Sequence, residues 1–287
     1  MKETTLKGLI TQAEAENRRI GMIVTDMESK KEDMTPTEAR AIMANRWRIM
    51  KESINNGLNQ KKPSLSGLSG GDGALVKQAE PRYLCGVVKD AAAAAVAVAE
   101  LNASMGRIVA CPTAGSCGIV PAALTLAVER LGCSEEDVVT SMFTAAGVGI
   151  VCSLNASISG AEGGCMAECG VAGAMAAAAL VELGGGTPAM IRDAVAICLT
   201  NMMGLVCDPV AGLVEVPCIL RNPGALLQGL LAAELALAGV RSRIPVDEVI
   251  EAMKEVREAL PESLRETGQG GLAATPTGRR IAERLSG

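Results

Sequence analysis

The sequence predicts an all-α protein, on three observations. Nearly half of the 287 residues are apolar, yet the chain holds one Trp, one Tyr and one Phe. Its core must be filled by Ala, Leu, Val, Ile and Met; Ala is the best helix former, and a core poor in rings disfavours a β-sandwich. Val246, Val249, Ile250, Met253, Val256 and Leu260 recur at i, i+3, i+4 and i+7 spacing, the apolar stripe of one helix. No stretch of comparable length alternates with a period of two, and no fixed-period repeat is present. The expected architecture is a single compact helical domain over residues 61–287, with Gly-rich functional loops between its helices. A polar helical leader, residues 1–60, packs on it.

In the leader, Thr35 and Glu38 form a capping box around Pro36 and open a helix that runs to about Lys51. Residues 64–73, rich in Ser and Gly, read as a loop. Residues 91–103 form an Ala-rich helix, and a second Gly/Pro loop at 111–118 precedes a helix from about Pro121. Ser134 caps the next helix, whose first turn carries Glu135, Glu136 and Asp137, as the helix dipole prefers. Residues 138–159 are the most apolar stretch, but Ser, Thr, Gly and Asn dilute it. It reads as a buried pair of helices, with membrane insertion the second reading. Residues 172–183 are helical and stop at Gly184, Gly185 and Gly186, after which Thr187 and Pro188 start another helix.

The formal net charge is −5 and no run of Lys or Arg is long enough to track a phosphate backbone, which argues against nucleic acid. The N-terminus lacks a basic segment followed by an apolar one, so no export signal is read. Ten cysteines then point to the reducing cytoplasm, where thiols stay free or bind metal; disulfides are the alternative. The chain has no histidine, which removes the usual zinc ligand sets, any His-based triad and the commonest general base.

Three loop-like segments concentrate polar groups amid apolar helices: 155–165, 207–218 and 265–274. Cys165, Cys207 and Cys218 lie in them beside Gly or Pro, at bends where a thiolate can face a site. Thiolates without imidazole favour an iron–sulfur cluster or zinc. The alternative for any one of them is a small buried hydrophobe. Cys165 and Cys169, spaced i, i+4, are a rival ligand pair.

The runs NASISGAEGGCMAECG (155–170), GLVCDPVAGLVEVPCILRN (204–222) and RETGQGGLAATPTG (265–278) closely resemble the iron–sulfur-dependent L-serine dehydratases. Within that family the chain resembles the α, catalytic subunit of the two-subunit type. The similarity runs from about Ser66 to Thr277 and includes SGLSGGD (66–72) and CPTAGSCGIVPA (111–122). The resemblance implies a 4Fe–4S cluster on Cys165, Cys207 and Cys218, with Cys169 outside the ligand set. Cys85, Cys111, Cys117, Cys133, Cys152 and Cys198 become structural thiols. Three ligands for four irons leave one iron open as a Lewis acid. L-serine then loses its Cα proton and β-hydroxyl, and the resulting aminoacrylate hydrolyses to pyruvate and ammonia, a step of amino-acid catabolism and gluconeogenesis. Some single-chain relatives in that family end in a cysteine that plugs the fourth iron. This chain ends at Ser286 and Gly287, so no such plug is expected.

The remaining site residues are Ser66, Asp72, Thr113, Asn155, Ser157 and Arg265. Ser66, Ser69 and Asp72 contact substrate or cap the helix that follows. Thr113 and Ser116 lie in a loop whose amides suit a carboxylate. Asn155, Ser157 and Ser159 stand just before the first cysteine, in supporting or substrate roles. Asp208 adjoins Cys207 or caps a turn, and Glu215 is structural. Arg265 clamps a carboxylate or forms a surface ion pair. The base is a carboxylate, a lysine such as Lys77, an activated hydroxyl, or a group from the partner, which is the reading preferred. That partner is a β subunit with a small regulatory domain, in an oligomer. The rival readings are L-threonine dehydratase, L-cysteine desulfidase, a pyridoxal-phosphate dehydratase, and an iron–sulfur redox carrier or sensor.

Overall fold

The computed structural model describes residues 4–60 and 63–286; the leader's first three residues, Lys61, Lys62 and Gly287 at the tail lie outside the described residues. In the leader α1 is Leu6–Glu16, α2 Ile20–Lys31 and α3 Pro36–Leu58. Then come α4 (Asp72–Gln78), α5 (Gly86–Ala103), α6 (Ile119–Leu131) and α7 (Glu135–Asn155). The short α8 (Gly160–Cys165) passes through a π turn, Met166–Gly170, into α9 (Val171–Leu183). The chain closes with α10 (Pro188–Met202), α11 (Cys218–Leu237), α12 (Val246–Ala259) and α13 (Pro276–Ser286). The fold is all-α: among the described residues the β-type pairing is an isolated parallel bridge between Cys207 and Arg265.

The caps form where the sequence places them. Thr35 Oγ1 accepts from Glu38 N and the Glu38 carboxylate accepts from Thr35 N. Ser134 accepts from Asp137 N, and Thr187 from Met190 N. Four residues of the predicted stripe, Val246, Val249, Ile250 and Met253, are buried on α12.

The core is organised around α9. Residues 171–182 are buried on every side, and α6, α7, α10 and α11 pack round them. Ala and Gly make this possible. A Cβ on Gly229 of α11 would stand 2.7 Å from the Gly173 carbonyl oxygen, so the backbones of α9 and α11 touch where only glycine fits. The leader shares the same core: Leu6, Leu9, Ile23 and Val24 are buried in it, and Met43, Trp47 and Met50 line the inner face of α3.

Three extents differ from expectation. Helix α3 continues to Leu58 because Ser53, Ile54 and Gly57 are buried against α5, and α5 itself starts at Gly86. Residues 138–159 hold one helix and a bend, not two helices. Helix α7 carries Gly147 and Gly149 inside it, since Val24 and Met175 pack there, and it ends at Asn155. Glu135–Asn155 and Gly160–Leu183 have the length and hydropathy of membrane spans, yet 72% and 100% of those windows are buried inside the protein. They are core helices here.

Candidate metal centre

Three segments meet at the N-terminal end of α9. The first is the break between α8 and α9. Gly164 adopts φ +68°, a left-handed value that a side chain resists, and its own Cβ position would lie 2.7 Å from the Leu205 carbonyl oxygen. The turn lets Met166 N donate to Leu205 O at 2.9 Å, which seats Cys165 against the strand-like segment carrying Cys207. The second segment is fixed on its other side: Cys207 N donates to Leu264 O at 2.9 Å and Glu266 N to Cys207 O at 2.8 Å. The third is the start of α11, where Cys218 is the first helical residue. All three thiols are buried, at 1%, 1% and 5% exposure.

Cys165 Sγ, a Glu168 carboxylate oxygen and Cys207 Sγ lie within 4.8 Å of one another. Arg221, one turn into α11, ties the segments together. Its Nη1 donates to Cys165 Sγ at 3.2 Å and to Val206 O at 2.8 Å, and its Nη2 donates to Asp208 Oδ1 at 2.7 Å. Asp208 Oδ2 accepts from Leu272 N at 2.7 Å, which brings the 265–274 loop into the same network.

The electrostatics follow from this geometry. Hydrogen bonds from the Cys169 and Cys207 thiols, with the positive Arg221 beside them, pull Cys165 down to about 3, against the opposing effect of burial. This arrangement favours the thiolate form at Cys165 over its neighbours. Sharing their protons with it holds Cys169 and Cys207 above the ordinary thiol range. Burial and the charges of Cys165 and Glu168 push Cys218 up to about 12. Burial and the Cys165 thiolate raise Glu168 to about 7, and the same two causes raise Glu266. The two carboxylates converge: a Cβ on Gly160 would stand 2.4 Å from Glu168 Oε2 and 3.1 Å from Glu266 Oε2. Four buried thiols, with Cys165 the one favoured as thiolate, and a carboxylate raised by burial make a soft donor set beside a group able to move a proton.

The other expected residues fall in different places. Thr113 hydrogen-bonds toward Glu168 and lies 3.1 Å from Ser116 Oγ, so this loop borders the thiols. Ser66 donates to Glu215 Oε1 at 2.8 Å, while Ser64 and Ser69 both donate to Glu215 Oε2 at 2.6 Å. A single buried carboxylate thus fastens the Gly-rich loop to the segment between Cys207 and Cys218. Asp72 opens α4, its N–H donating to Glu100 Oε1 at 2.8 Å. Asn155 Nδ2 donates to the Thr4 and Val151 carbonyls, toward the leader. Ser157 donates to Glu162. Arg265 joins the site by its backbone, whereas its Nη2 donates to the Glu258 and Leu260 carbonyls. Elsewhere, burial pushes Cys117, Cys152 and Cys198 up to about 12 and Cys111 higher still, so these four stay protonated.

Glu168, Arg221 and Glu266 are absent from the sequence-based site. Glu168 left one signal: it is the lone acid between Glu162 and Glu182 in an otherwise apolar run. Arg221 left none, because its role depends on α11 packing beside α9.

The chain matches a family model described as serine dehydratase alpha chain over residues 15–273. It is 49% identical over 270 residues to the probable L-serine dehydratase, alpha chain, of Bacillus subtilis (strain 168), covering 93% of this chain and 89% of that relative. The L-serine dehydratase, alpha chain, of Peptoniphilus asaccharolyticus is 51% identical over 191 residues, 67% of this chain and 65% of that protein. L-serine dehydratase 1 of Escherichia coli (strain K12) is 48% identical over 181 residues, which are 62% of this chain and 40% of that longer protein.

Proposed function

Because the chain belongs to the serine dehydratase alpha-chain family, we propose that it deaminates L-serine to pyruvate and ammonia, with Cys165, Cys207 and Cys218 as ligands of a 4Fe–4S cluster. The observation that carries this reading is the convergence of buried thiols around Cys165, with no histidine in the chain to offer a competing ligand. The donor set fits such a group, since soft thiolates suit iron and sulfide better than hard cations. When bound, a cluster with one iron free of cysteine supplies a Lewis acid for the substrate's oxygens.

The chain's own residues supply the rest. Arg221 adds to the hydrogen bonds from Cys169 and Cys207 that favour the Cys165 thiolate, and it fixes Cys165 relative to Asp208 and the 265–274 loop. Glu168 is the local carboxylate that takes the Cα proton at an Oε, with Thr113 donating to it and Glu266 facing it. The Thr113–Ser116 loop holds the substrate carboxylate. Ser66 acts through Glu215, and Ser157 through Glu162, to set the cysteine segments in place. Asn155 and Arg265 spend their side chains on backbone carbonyls and Asp72 is held through its N–H by Glu100, so this reading gives all three supporting roles. A base brought by the partner is the competing reading. Glu168→Gln separates them: with a local base, turnover falls by about 10²–10⁴-fold at unchanged iron content. Undiminished turnover assigns the base to the partner.

The same reading puts the enzyme in the cytoplasm, in an oligomer with a β subunit that carries a small regulatory domain. It also treats residues 61–287 as the catalytic domain and 1–60 as a leader packed on it. The test is anaerobic purification with and without that β subunit, followed by assay of pyruvate from L-serine and of the products from L-threonine and L-cysteine. L-Serine is expected to turn over fastest and to perturb the visible spectrum of the cluster. One methyl group separates serine from threonine, worth only about 1–3 kcal/mol, so slow turnover of threonine accompanies it. Activity that survives air and iron removal overturns the cluster, and a spectrum blind to L-serine favours a redox carrier.

A further inference from the structure

Arg221 and Asn222 are consecutive residues near the start of α11, and they hold different halves of the site. Arg221 takes the thiol half, through Cys165, Val206 and Asp208. Asn222 reaches the other way, into the 111–118 loop. Its Oδ1 accepts from Gly118 N at 2.9 Å, and its Nδ2 donates to Gly115 O at 2.8 Å and to Cys218 O at 3.0 Å. The residue is 0% exposed. Both amide hydrogens and the oxygen are engaged, so a flipped amide sets an acceptor against two carbonyls and a donor against an N–H. One orientation fits. Buried, with both hydrogens engaged, Asn222 does not reach a substrate itself.

The loop has little room to stand elsewhere. A Cβ on Gly118 would stand 2.2 Å from Ala95 O and 3.0 Å from Asn222 Oδ1, so the end of the loop is wedged between α5 and α11. A Cβ on Gly115 would stand 3.4 Å from Glu168 Oε1, so the loop lies against that carboxylate. Between these two anchored glycines Ser116 is buried, and its Oγ lies 3.1 Å from Thr113 Oγ1, whose hydroxyl bonds toward Glu168. Contacts therefore run without a gap from Cys218 through Asn222 and the loop to Glu168. A shift of the Asn222 amide moves the loop relative to Cys218 and Glu168 at once.

We propose that Asn222 is a positioning residue: it holds the Thr113–Ser116 loop in register with Cys218 and so sets how tightly that loop grips the substrate carboxylate. This role rests on the loop holding the carboxylate, as read above. The carboxylate is gripped in the ground state and in the transition state alike, so a loosened loop raises KM and largely spares kcat.

The test compares the anaerobically purified wild-type and Asn222→Leu enzymes; leucine keeps the volume and removes all three bonds. The variant is expected to keep its iron, to hold kcat within about twofold and to raise KM for L-serine about tenfold, the order of one or two lost hydrogen bonds. As a competitive inhibitor, 3-hydroxypropionate is expected to weaken by the same factor, and ethanolamine, which lacks the carboxylate, to keep its strength. Equal weakening of both, or a fall in iron and kcat at unchanged KM, makes Asn222 merely structural and overturns the proposal. A wild type inhibited by ethanolamine and not by 3-hydroxypropionate refutes the loop's carboxylate role first, and the proposal with it. Amide exchange in the iron-free chain reads the same contact without turnover. The Gly118 amide of the wild type is expected to exchange far more slowly than that of exposed Ala114, and Asn222→Leu to speed exchange across residues 115–118 while α6 stays protected. Should Asn222→Leu fail to fold, Asn222→Asp keeps the shape and the bond from Gly118 and is expected to raise KM in the same direction. A wild-type Gly118 amide that exchanges as fast as that of Ala114 overturns the proposal.

Discussion

Arg221 Nη1 stands 3.2 Å from Cys165 Sγ while its Nη2 holds Asp208 Oδ1 at 2.7 Å, so one guanidinium spans a thiolate and a carboxylate. Arg221 and Asp208 side chains are 15% and 5% exposed, which places this ion pair out of reach of solvent screening. Removing the arginine leaves Asp208 buried beside a second negative group. Arg221→Leu is expected to destabilise the chain by about 3–5 kcal/mol in urea unfolding, the range for breaking one side of a buried pair. Adding Asp208→Asn is expected to recover part of that loss. Additive losses in the double variant would mean that the two residues do not act as a pair.

Glu215 accepts three serine hydroxyls, and its replacement by Gln puts an NH₂ donor where hydroxyl protons already point. The expected cost is about 1–3 kcal/mol, that of unmet buried groups. Amide exchange is expected to accelerate in residues 63–71 and around Cys218 together, because the carboxylate joins them. Faster exchange in one segment alone would place the fastening elsewhere.

Cys169 and Cys207 both share protons with Cys165, but they are expected to differ as ligands. Cys207→Ser is expected to lose bound iron and turnover together. Cys169→Ser keeps a hydroxyl donor toward Cys165 and is expected to retain iron near the wild-type level. Iron analysis after anaerobic reconstitution reads both, and the reverse order of losses would move Cys169 into the ligand set.

Glu182 supplies a pH dependence. Burial raises its pKa above the ordinary 4.5, so the folded state holds this proton more tightly than the unfolded chain does. The resulting stabilisation is complete below the ordinary value and is lost as pH rises through the raised one. Glu182→Gln lacks this loss. Urea unfolding across mildly acidic to neutral pH is therefore expected to show the variant gaining on the wild type as pH increases. Every other titrating group is common to both proteins and cancels in the difference. A difference independent of pH would mean that Glu182 titrates normally.

Local chemistry was legible in the sequence, and contacts between distant segments were not. The caps at Thr35, Ser134 and Thr187 involve residues three apart, so the residue types alone announce them. The α12 stripe is equally local. The extension of α3 to Leu58 depends on burial against α5, and the unbroken α7 depends on what packs at Gly147 and Gly149. The site divides the same way. Cysteines beside Gly and Pro are visible as unusual, and the long motifs carry a resemblance. Glu168 becomes a site residue only when a left-handed Gly164 turns α8 onto Leu205, and Arg221 only when α11 lies along α9. Arg265 divides between the two levels: its backbone pairs with Cys207 while its guanidinium points to carbonyls near the end of α12.

The burial of α9 gives the three thiols unequal standing when the site opens. Cys165 is anchored where the molecule's most enclosed helix begins, so it yields only when the whole core does. Cys207 and Cys218 flank an irregular stretch fastened chiefly by Arg221, Asp208 and Glu215, and such fastenings release without unfolding the helices. The site is a vice with one fixed jaw and one hinged jaw. A metal held as proposed would find the Cys165 sulfur already in place, and Cys207 and Cys218 would be the ligands that adjust to it.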